Sequence, residues 1–267
     1  MHDFISISDI SSWLYCPRKL YLTRVKGIKQ PVNRAMIIGR IRHAILEDFS
    51  KHEKFFVKGI FKNYEKIDLV FMYEDFFKKI ADKVFLENST SIEKFLVDKQ
   101  DILKKMLSGF SEDMKLRIES IKSGLNKGYF GKDLWDNLDS IYLSEIRVES
   151  ETLKLRGRVD RIELQKNENN VIPYEIKSRD DRVFPSDELQ LTAYAMLLED
   201  MYKMQIKKGI IELGNKKHEL EITEKNKSRV LQIADKIREM HKNPAPEMQS
   251  NFNKCSQCDL KEQCIGL

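Results

Sequence analysis

A chain of 267 residues with 41% apolar side chains can bury one large core, or a core carrying a substantial insertion. Its 47 basic and 42 acidic residues leave a formal charge of +5, which permits nucleic-acid binding without arguing for it, because local patches decide that. No apolar run approaches the roughly 18 residues of a membrane span, and Met1-His2-Asp3-Phe4-Ile5 lacks the basic and apolar regions of a signal peptide. No membrane association and an intracellular, cytoplasmic, reducing location are therefore the expectation, and the four cysteines are not expected to form disulfides.

In chain order, Ser8 is a candidate cap for a short helix, and Pro17 suits the first position of a second. Cys16 then sits at the bend between them, its thiol near a helix N-terminus, a position that favours the thiolate. Taken alone it reads equally as a buried free cysteine. Ile37, Ile38, Ile41, Ala44, Ile45 and Phe49 recur at helical spacing over residues 34 to 50. Gly39 and His43 share a face of that helix, and Gly39 is explained if another backbone approaches closely. His43 reads as an ordinary helical histidine or as a ligand. Glu47, one turn on, reads as its orienting partner or as a surface charge. Residues 51–138 carry amphipathic patterns such as Phe76, Phe77, Ile80, Val84 and Phe85, interrupted near Gly124, Gly128 and Gly131, and read as a helical insertion without motifs of chemistry.

Three alternating segments follow. Ile141 to Glu149 should pair with the strand holding Asp160 across a turn near Thr152. Gly157-Arg158-Val159-Asp160-Arg161-Ile162-Glu163 and Pro173-Tyr174-Glu175-Ile176-Lys177 flank the polar loop Lys166-Asn167-Glu168-Asn169-Asn170. A hairpin folded about residue 168 opposes Asp160 to Glu175, and the strand period of two puts Glu175 and Lys177 on one face. Two carboxylates so close repel each other, and a hard divalent cation relieves them. The competing reading is a solvated, charged hairpin. Glu145, on the preceding strand, can approach the same patch.

A polar loop from Ser178 to Pro185 leads to a helix running from about Ser186 to Tyr202, on which Gln190 and Tyr194 share a face. A second hairpin turns at Gly214-Asn215, and a basic helix spans Glu224 to His241. Cys255-x-x-Cys258 and Cys264 then lie within ten residues of one another. With Cys16 they make a three-plus-one set of thiols, closer to an iron–sulfur pattern than to the paired knuckles of zinc, though the spacing leaves both open.

Gly39-x-x-x-His43, Gly157-x-x-Asp160, Glu175-x-Lys177 and Gln190-x-x-x-Tyr194 follow one another in this order, behind Leu14-Tyr15-Cys16-Pro17-Arg18 and ahead of the cysteine trio. The combination resembles the CRISPR-associated RecB-like exonucleases of the PD-(D/E)XK superfamily, over residues 1–50 and 140–267. It lacks the phosphate-binding Gly-rich loop of the helicase fusions. The resemblance implies an α/β fold: a restriction-endonuclease-like core with a mixed sheet flanked by helices, formed by residues 1–50 and 139–242. A helical insertion would occupy 51–138, and residues 243–267 would join the two termini through the cluster. It implies His43, Asp160, Glu175 and the Ile176 carbonyl as ligands to Mg2+ or Mn2+, Lys177 as the residue orienting the attacking water, and Gln190 and Tyr194 as DNA-contacting or supporting residues. Cys16, Cys255, Cys258 and Cys264 would hold an iron–sulfur cluster, with [4Fe–4S] expected and [2Fe–2S], which other members carry, as the alternative. The implied activity is metal-dependent exonuclease cleavage of DNA, on single-stranded ends, trimming spacer precursors in association with the CRISPR integrase. A stand-alone repair or viral nuclease, or a non-catalytic DNA-binding scaffold, are the alternatives.

Overall fold

The computed structural model describes residues 4–61, 68–166, 168–177, 179, 182–214, 216–248 and 252–266. Six strands among these residues form one mixed sheet, β1 (Ile5–Ser6), β2 (Ser140–Ser150), β3 (Leu155–Gln165), β4 (Asn170–Lys177), β5 (Lys208–Leu213) and β6 (Lys216–Glu221). β3 is central. It pairs antiparallel with β2 along its length, and on its other edge it pairs antiparallel with β4 through Arg161–Gln165 and parallel with β1 through Leu155 and Arg156. These two ladders leave residues 157–160 between β1 and β4 without a ladder partner on that edge. The sheet continues through β5, parallel to β4, and β6. The turns fall where alternation places them: Ser150 opposes Leu155, and Gln165 opposes Asn170. Asn167 and Asn215, assigned to turns from the sequence, lie outside the described residues, as do Ser178, Asp180 and Asp181 of the expected polar loop.

Eleven helices among the described residues surround this sheet. α1 (Ile7–Tyr15) and α2 (Pro17–Arg24) meet at Cys16, which caps α2 in extended conformation with its sulfur accepting the Lys19 N–H. The cap of α1 is Ser6 rather than Ser8, because the chain leaves the parallel β1 ladder at Ser6 and turns directly into the helix. α3 (Arg34–Lys58) starts at an Asn33 cap and runs past the expected end at residue 50, so that the proposed boundary there falls within one continuous helix. α4 (Leu69–Glu87), α5 (Ser89–Lys94), α6 (Lys99–Asn126) and α7 (Gly131–Asp136) follow, α4 and α6 begun by the carboxylate caps Asp68 and Asp98. α8 (Pro185–Tyr202) makes the crossover that parallel β4 and β5 require. α9 (Glu224–Glu239), capped by Thr223, ends two residues before His241; α10 (Phe252–Ser256) holds Cys255, α11 (Lys261–Ile265) holds Cys264, and Cys258 lies between them.

Two apolar clusters fill the molecule. One joins the sheet to α1, α8 and α9, through residues such as Ile7, Val159, Leu191, Leu198 and Ile233. The other packs α3 against α4, α6 and α7, through Ile45, Phe49, Phe77, Ile121 and Leu134. A buried ionic knot fixes the second cluster to the sheet. Arg117 of α6 donates to Glu53 of α3 at 2.8 Å and to the Ser140 carbonyl at the start of β2, while the Tyr73 hydroxyl donates to the same carboxylate. Arg117 and Glu53 are 3% and 2% exposed. Arg117→Ala is expected to destabilise the fold by about 3–5 kcal/mol, because it leaves a buried carboxylate without its cation. The check is a lowered denaturation midpoint at unchanged slope.

Candidate active site

The ladder between β3 and β4 stops at Arg161–Tyr174, one step before Asp160 and Glu175 would face each other. Beyond that point the strands part, and the Asp160 carboxylate takes the Ile176 N–H at 2.7 Å in place of a ladder bond. Asp160 and Glu175 are both buried, at 7% and 2% exposure. On the other edge of β3, Glu145 of β2 would oppose Asp160, but its backbone is left-handed (φ 59°) and the ladder skips it, passing from Ser144–Arg161 to Ile146–Val159. A non-glycine residue in that region costs on the order of 1–3 kcal/mol and persists where its surroundings hold it. Here they do: Glu145 lies 2.5 Å from His43 Nδ1 and 2.8 Å from Arg158 Nε.

His43 reaches the sheet from α3, with Nδ1 also 3.7 Å from Asp160 Oδ1. Ligand atoms of His43, Glu145 and Asp160 all lie within 4.8 Å of one another, the one such group among the described residues. Glu47, the alternative orienting partner for His43, is engaged with Lys51 at 2.6 Å. Glu145 takes that place instead. Gly39 meets no close backbone, since a Cβ built there has nothing within 4 Å. In the site it is Gly157 that packing requires to be glycine: a Cβ there would come within 2.8 Å of Ile7 Cγ1 and 2.9 Å of Tyr194 Cε1.

Lys177 lies beside this cluster, 2.5 Å from Glu175 Oε1, and donates to Gln190 Oε1 at 3.1 Å. The same Gln190 oxygen accepts from Ser11 Oγ at 2.9 Å, and Gln190 Nε2 donates to the Tyr194 hydroxyl at 3.2 Å. Asp187, anchored by the Phe184 N–H and by Arg179, is 3.7 Å from Lys177. Gln190 and Tyr194 therefore meet the hairpin from α8, and Ser11 and Asp187 complete a frame around the ammonium that spacing did not reveal. Glu145 could have been placed by the same turn arithmetic that opposes Asp160 to Glu175, applied to the turn near Thr152.

Burial, and then the neighbouring Asp160 charge, push the Glu175 carboxyl up to about 8 despite Lys177. Burial also raises Asp160, partly opposed by His43 and the Ile176 N–H. Burial pulls His43 down, but the Glu145 hydrogen bond and the surrounding carboxylates outweigh it and raise the imidazole. Burial likewise pulls on Lys177, and Glu175, Asp187 and Asp160 more than compensate. Glu175 Oε2 is buried without a hydrogen-bond partner. An orphaned carboxylate oxygen among crowded acids fits a divalent cation with oxygen and imidazole ligands.

At the far end of α1, Cys16 and the cysteine-bearing C-terminal segment come together, with Lys254 donating to the Tyr15 carbonyl at 3.0 Å. Cys16, Cys255 and Cys258 all act electrostatically on Tyr15, and Arg18 donates to the Cys264 and Pro246 carbonyls at 3.0 and 2.9 Å. Lys19 and Lys254 lie over the Tyr15 ring. Four free thiols drawn from both ends of the chain have the donor chemistry of an anionic metal–thiolate centre.

The model of the PD-(D/E)XK nuclease superfamily matches residues 5–265. A CRISPR-associated exonuclease Cas4/endonuclease Cas1 fusion of Leptospira interrogans serogroup Icterohaemorrhagiae serovar Lai (strain 56601) is 31% identical over 163 residues, which cover 55% of this chain and 30% of that protein. The CRISPR-associated exonuclease Cas4 of Francisella tularensis subsp. novicida (strain U112) is 21% identical over 154 residues, 57% of this chain and 75% of that protein. The solved structure of SSO0001 aligns with 95% of each chain at 14% identity and a TM-score of 0.32. The mixed sheet flanked by helices is the expected architecture, and no helix of the described residues is long and apolar enough to cross a membrane. With a family match over nearly its whole length, the chain belongs to the PD-(D/E)XK nuclease superfamily of metal-dependent nucleases, and its relatives include CRISPR-associated Cas4 exonucleases.

Proposed function

We propose that the protein is a cytoplasmic DNA exonuclease that uses Mg2+ or Mn2+ to trim single-stranded ends of spacer precursors in CRISPR adaptation. The observation that carries the chemistry is the partnerless Glu175 Oε2, buried beside Asp160, His43 and Lys177. His43, Asp160, Glu175 and the Ile176 carbonyl are the ligands in this reading, with Glu145 orienting the imidazole. A bound divalent cation supplies Lewis acidity, lowering the pKa of water and neutralising phosphate oxygens. Lys177, framed by Glu175, Gln190 and Asp187, would orient the attacking water and stabilise the negative charge that grows on the phosphoryl oxygens and on the departing 3′-oxygen. Tyr194 and Ser11 fix Gln190 and so fix Lys177.

Cys16, Cys255, Cys258 and Cys264 hold a [4Fe–4S] cluster that joins residues 243–267 to the nuclease core of 1–50 and 139–242, with 51–138 as a helical insertion. The Leptospira relative carries a nuclease and Cas1 on one chain, which supports association with a CRISPR integrase here. Anaerobic purification followed by a manganese-dependent assay on end-labelled single strands tests the reading. Progressive shortening from an end is expected, and intact strands at stoichiometric metal would refute it.

Metal binding should also change the pH dependence of stability. Glu175 has an ordinary value of 4.5 and titrates near 8 in the fold, so between those values the folded state holds the extra proton. Stability of the metal-free site is then greatest below the lower value and falls as pH rises through the upper one. Cation binding releases protons from Glu175 and His43 and tightens with pH. With chelator, the melting temperature is expected to fall from pH 6 to pH 8.5, and Mn2+ is expected to cancel that fall. Parallel curves with and without Mn2+ would count against a cation at Glu175.

A further inference from the structure

Beside the carboxylate cluster the sheet opens into a basin of about 650 Å³, lined by His43, Glu145, Asp160 and Tyr194 and by three arginines, Arg147, Arg156 and Arg158. All three arginines are exposed. Their placement on the ladder is informative. Arg147 of β2 stands directly opposite Arg158 of β3. Directly opposed residues have Cβ atoms roughly 4.5–5.5 Å apart, and like charges there are unfavourable. The acids of the basin resolve this only on the Arg158 side. Glu145 binds Arg158, Glu149 stands opposite Arg156, and Asp160 belongs to the cluster. Arg147 has no acidic partner among the described residues. The backbone at Glu145 is left-handed at the very position that carries the anchor for Arg158, so that guanidinium is held at the basin wall.

We infer that the opposed pair Arg147 and Arg158 forms an anion subsite for a backbone phosphodiester of single-stranded nucleic acid, the phosphate next to the one being cleaved. An anion between two guanidiniums converts their repulsion into two charge-assisted contacts. The position fits. Arg158 precedes Asp160 by two strand residues, roughly 6.6–6.8 Å, which is on the scale of one nucleotide of extended strand. The basin opens to solvent along β2 and β3, and backbone contacts of this kind carry no sequence preference. The inference rests on the nuclease reading for the identity of the neighbouring phosphate, but the subsite itself can be tested by binding alone.

The test compares wild type, Arg147→Gln and Arg147→Lys in calcium, without turnover, by titrating a labelled single strand over a range of salt. The slope of log affinity against log salt is expected to weaken by about 0.7 in Arg147→Gln, one phosphate contact fewer, and to be restored in Arg147→Lys. A methylphosphonate is then placed one linkage to either side of the scissile bond. At one of the two sides it should weaken wild-type binding about tenfold and Arg147→Gln, which keeps only the Arg158 contact, markedly less, the non-additivity expected of two groups in contact. An unchanged salt slope in Arg147→Gln, or additive losses on both sides, would overturn the subsite. Loss of manganese-dependent cleavage in the wild type with a normal salt slope would instead sink the nuclease reading and leave the anion site standing.

Discussion

Lys177→Ala and Asp160→Ala are each expected to reduce single-turnover cleavage by about 10²–10³ or more, for different reasons that calorimetry separates. Lys177 touches Glu175, Gln190 and, at longer range, Asp187, so its removal deletes the ammonium while leaving His43, Glu145 and Asp160 in place. Manganese should still bind to Lys177→Ala. The mutant loses the group that lowers Glu175, and the carboxyl, already near 8, rises further. Its metal affinity should therefore fall at neutral pH and recover as pH is raised, whereas wild type is less sensitive over the same range. Asp160→Ala removes a ligand and the acceptor of the Ile176 N–H, so its metal affinity should fall at every pH. Circular dichroism of both should match wild type. Normal cleavage by either variant would remove that residue from the active site.

Much of this site was legible because strand geometry is arithmetic. Alternation marks the strands, polar loops mark their ends, and the centre of a loop fixes which residues face each other. That is enough to bring Asp160 toward Glu175 and to put Lys177 beside it. The same arithmetic at the turn near Thr152 opposes Glu145 to Asp160, a step that needs only the assumption that β2 and β3 pair without a bulge. What it does not give is backbone conformation. Nothing in the sequence says that Glu145 turns left-handed and leaves the ladder, since glutamate has no preference for that region. Helix faces were legible and helix partners were not. The spacing of Gly39 and His43 is correct for a shared face, yet no backbone closes on Gly39; the tight approach is of side chains at Gly157, where Ile7 of α1 and Tyr194 of α8 press on β3. Likewise Arg117 looks like one of many basic residues on an amphipathic helix. Its burial follows from Glu53 and the Ser140 carbonyl, groups 64 and 23 residues away.

Cys258→Ser is expected to bleach the visible absorbance of anaerobically purified protein and to destabilise it by several kcal/mol. The size follows from topology. Cys16 and Cys255 lie at opposite ends of the sequence, and a tie across so long a loop restricts the unfolded chain strongly, by on the order of 5 kcal/mol in the chain-entropy picture. Arg18 already bonds the Pro246 and Cys264 carbonyls, but hydrogen bonds of this kind vanish on unfolding and contribute nothing to that restriction. Activity should fall as well, through one helix. α1 ends at Tyr15 against the cysteines, and Ser11, one turn earlier, donates to the Gln190 oxygen that holds Lys177. Loosening the C-terminal end of α1 therefore loosens the frame of the ammonium, and turnover should drop even at temperatures where the mutant stays folded. Ser11→Ala separates the two effects: it should lower turnover while keeping the absorbance and most of the stability. If Cys258→Ser instead retains full turnover below its melting temperature, the cysteines serve stability alone. If the wild type is colourless and holds one zinc per chain after anaerobic preparation, the thiols bind zinc and the cluster assignment falls.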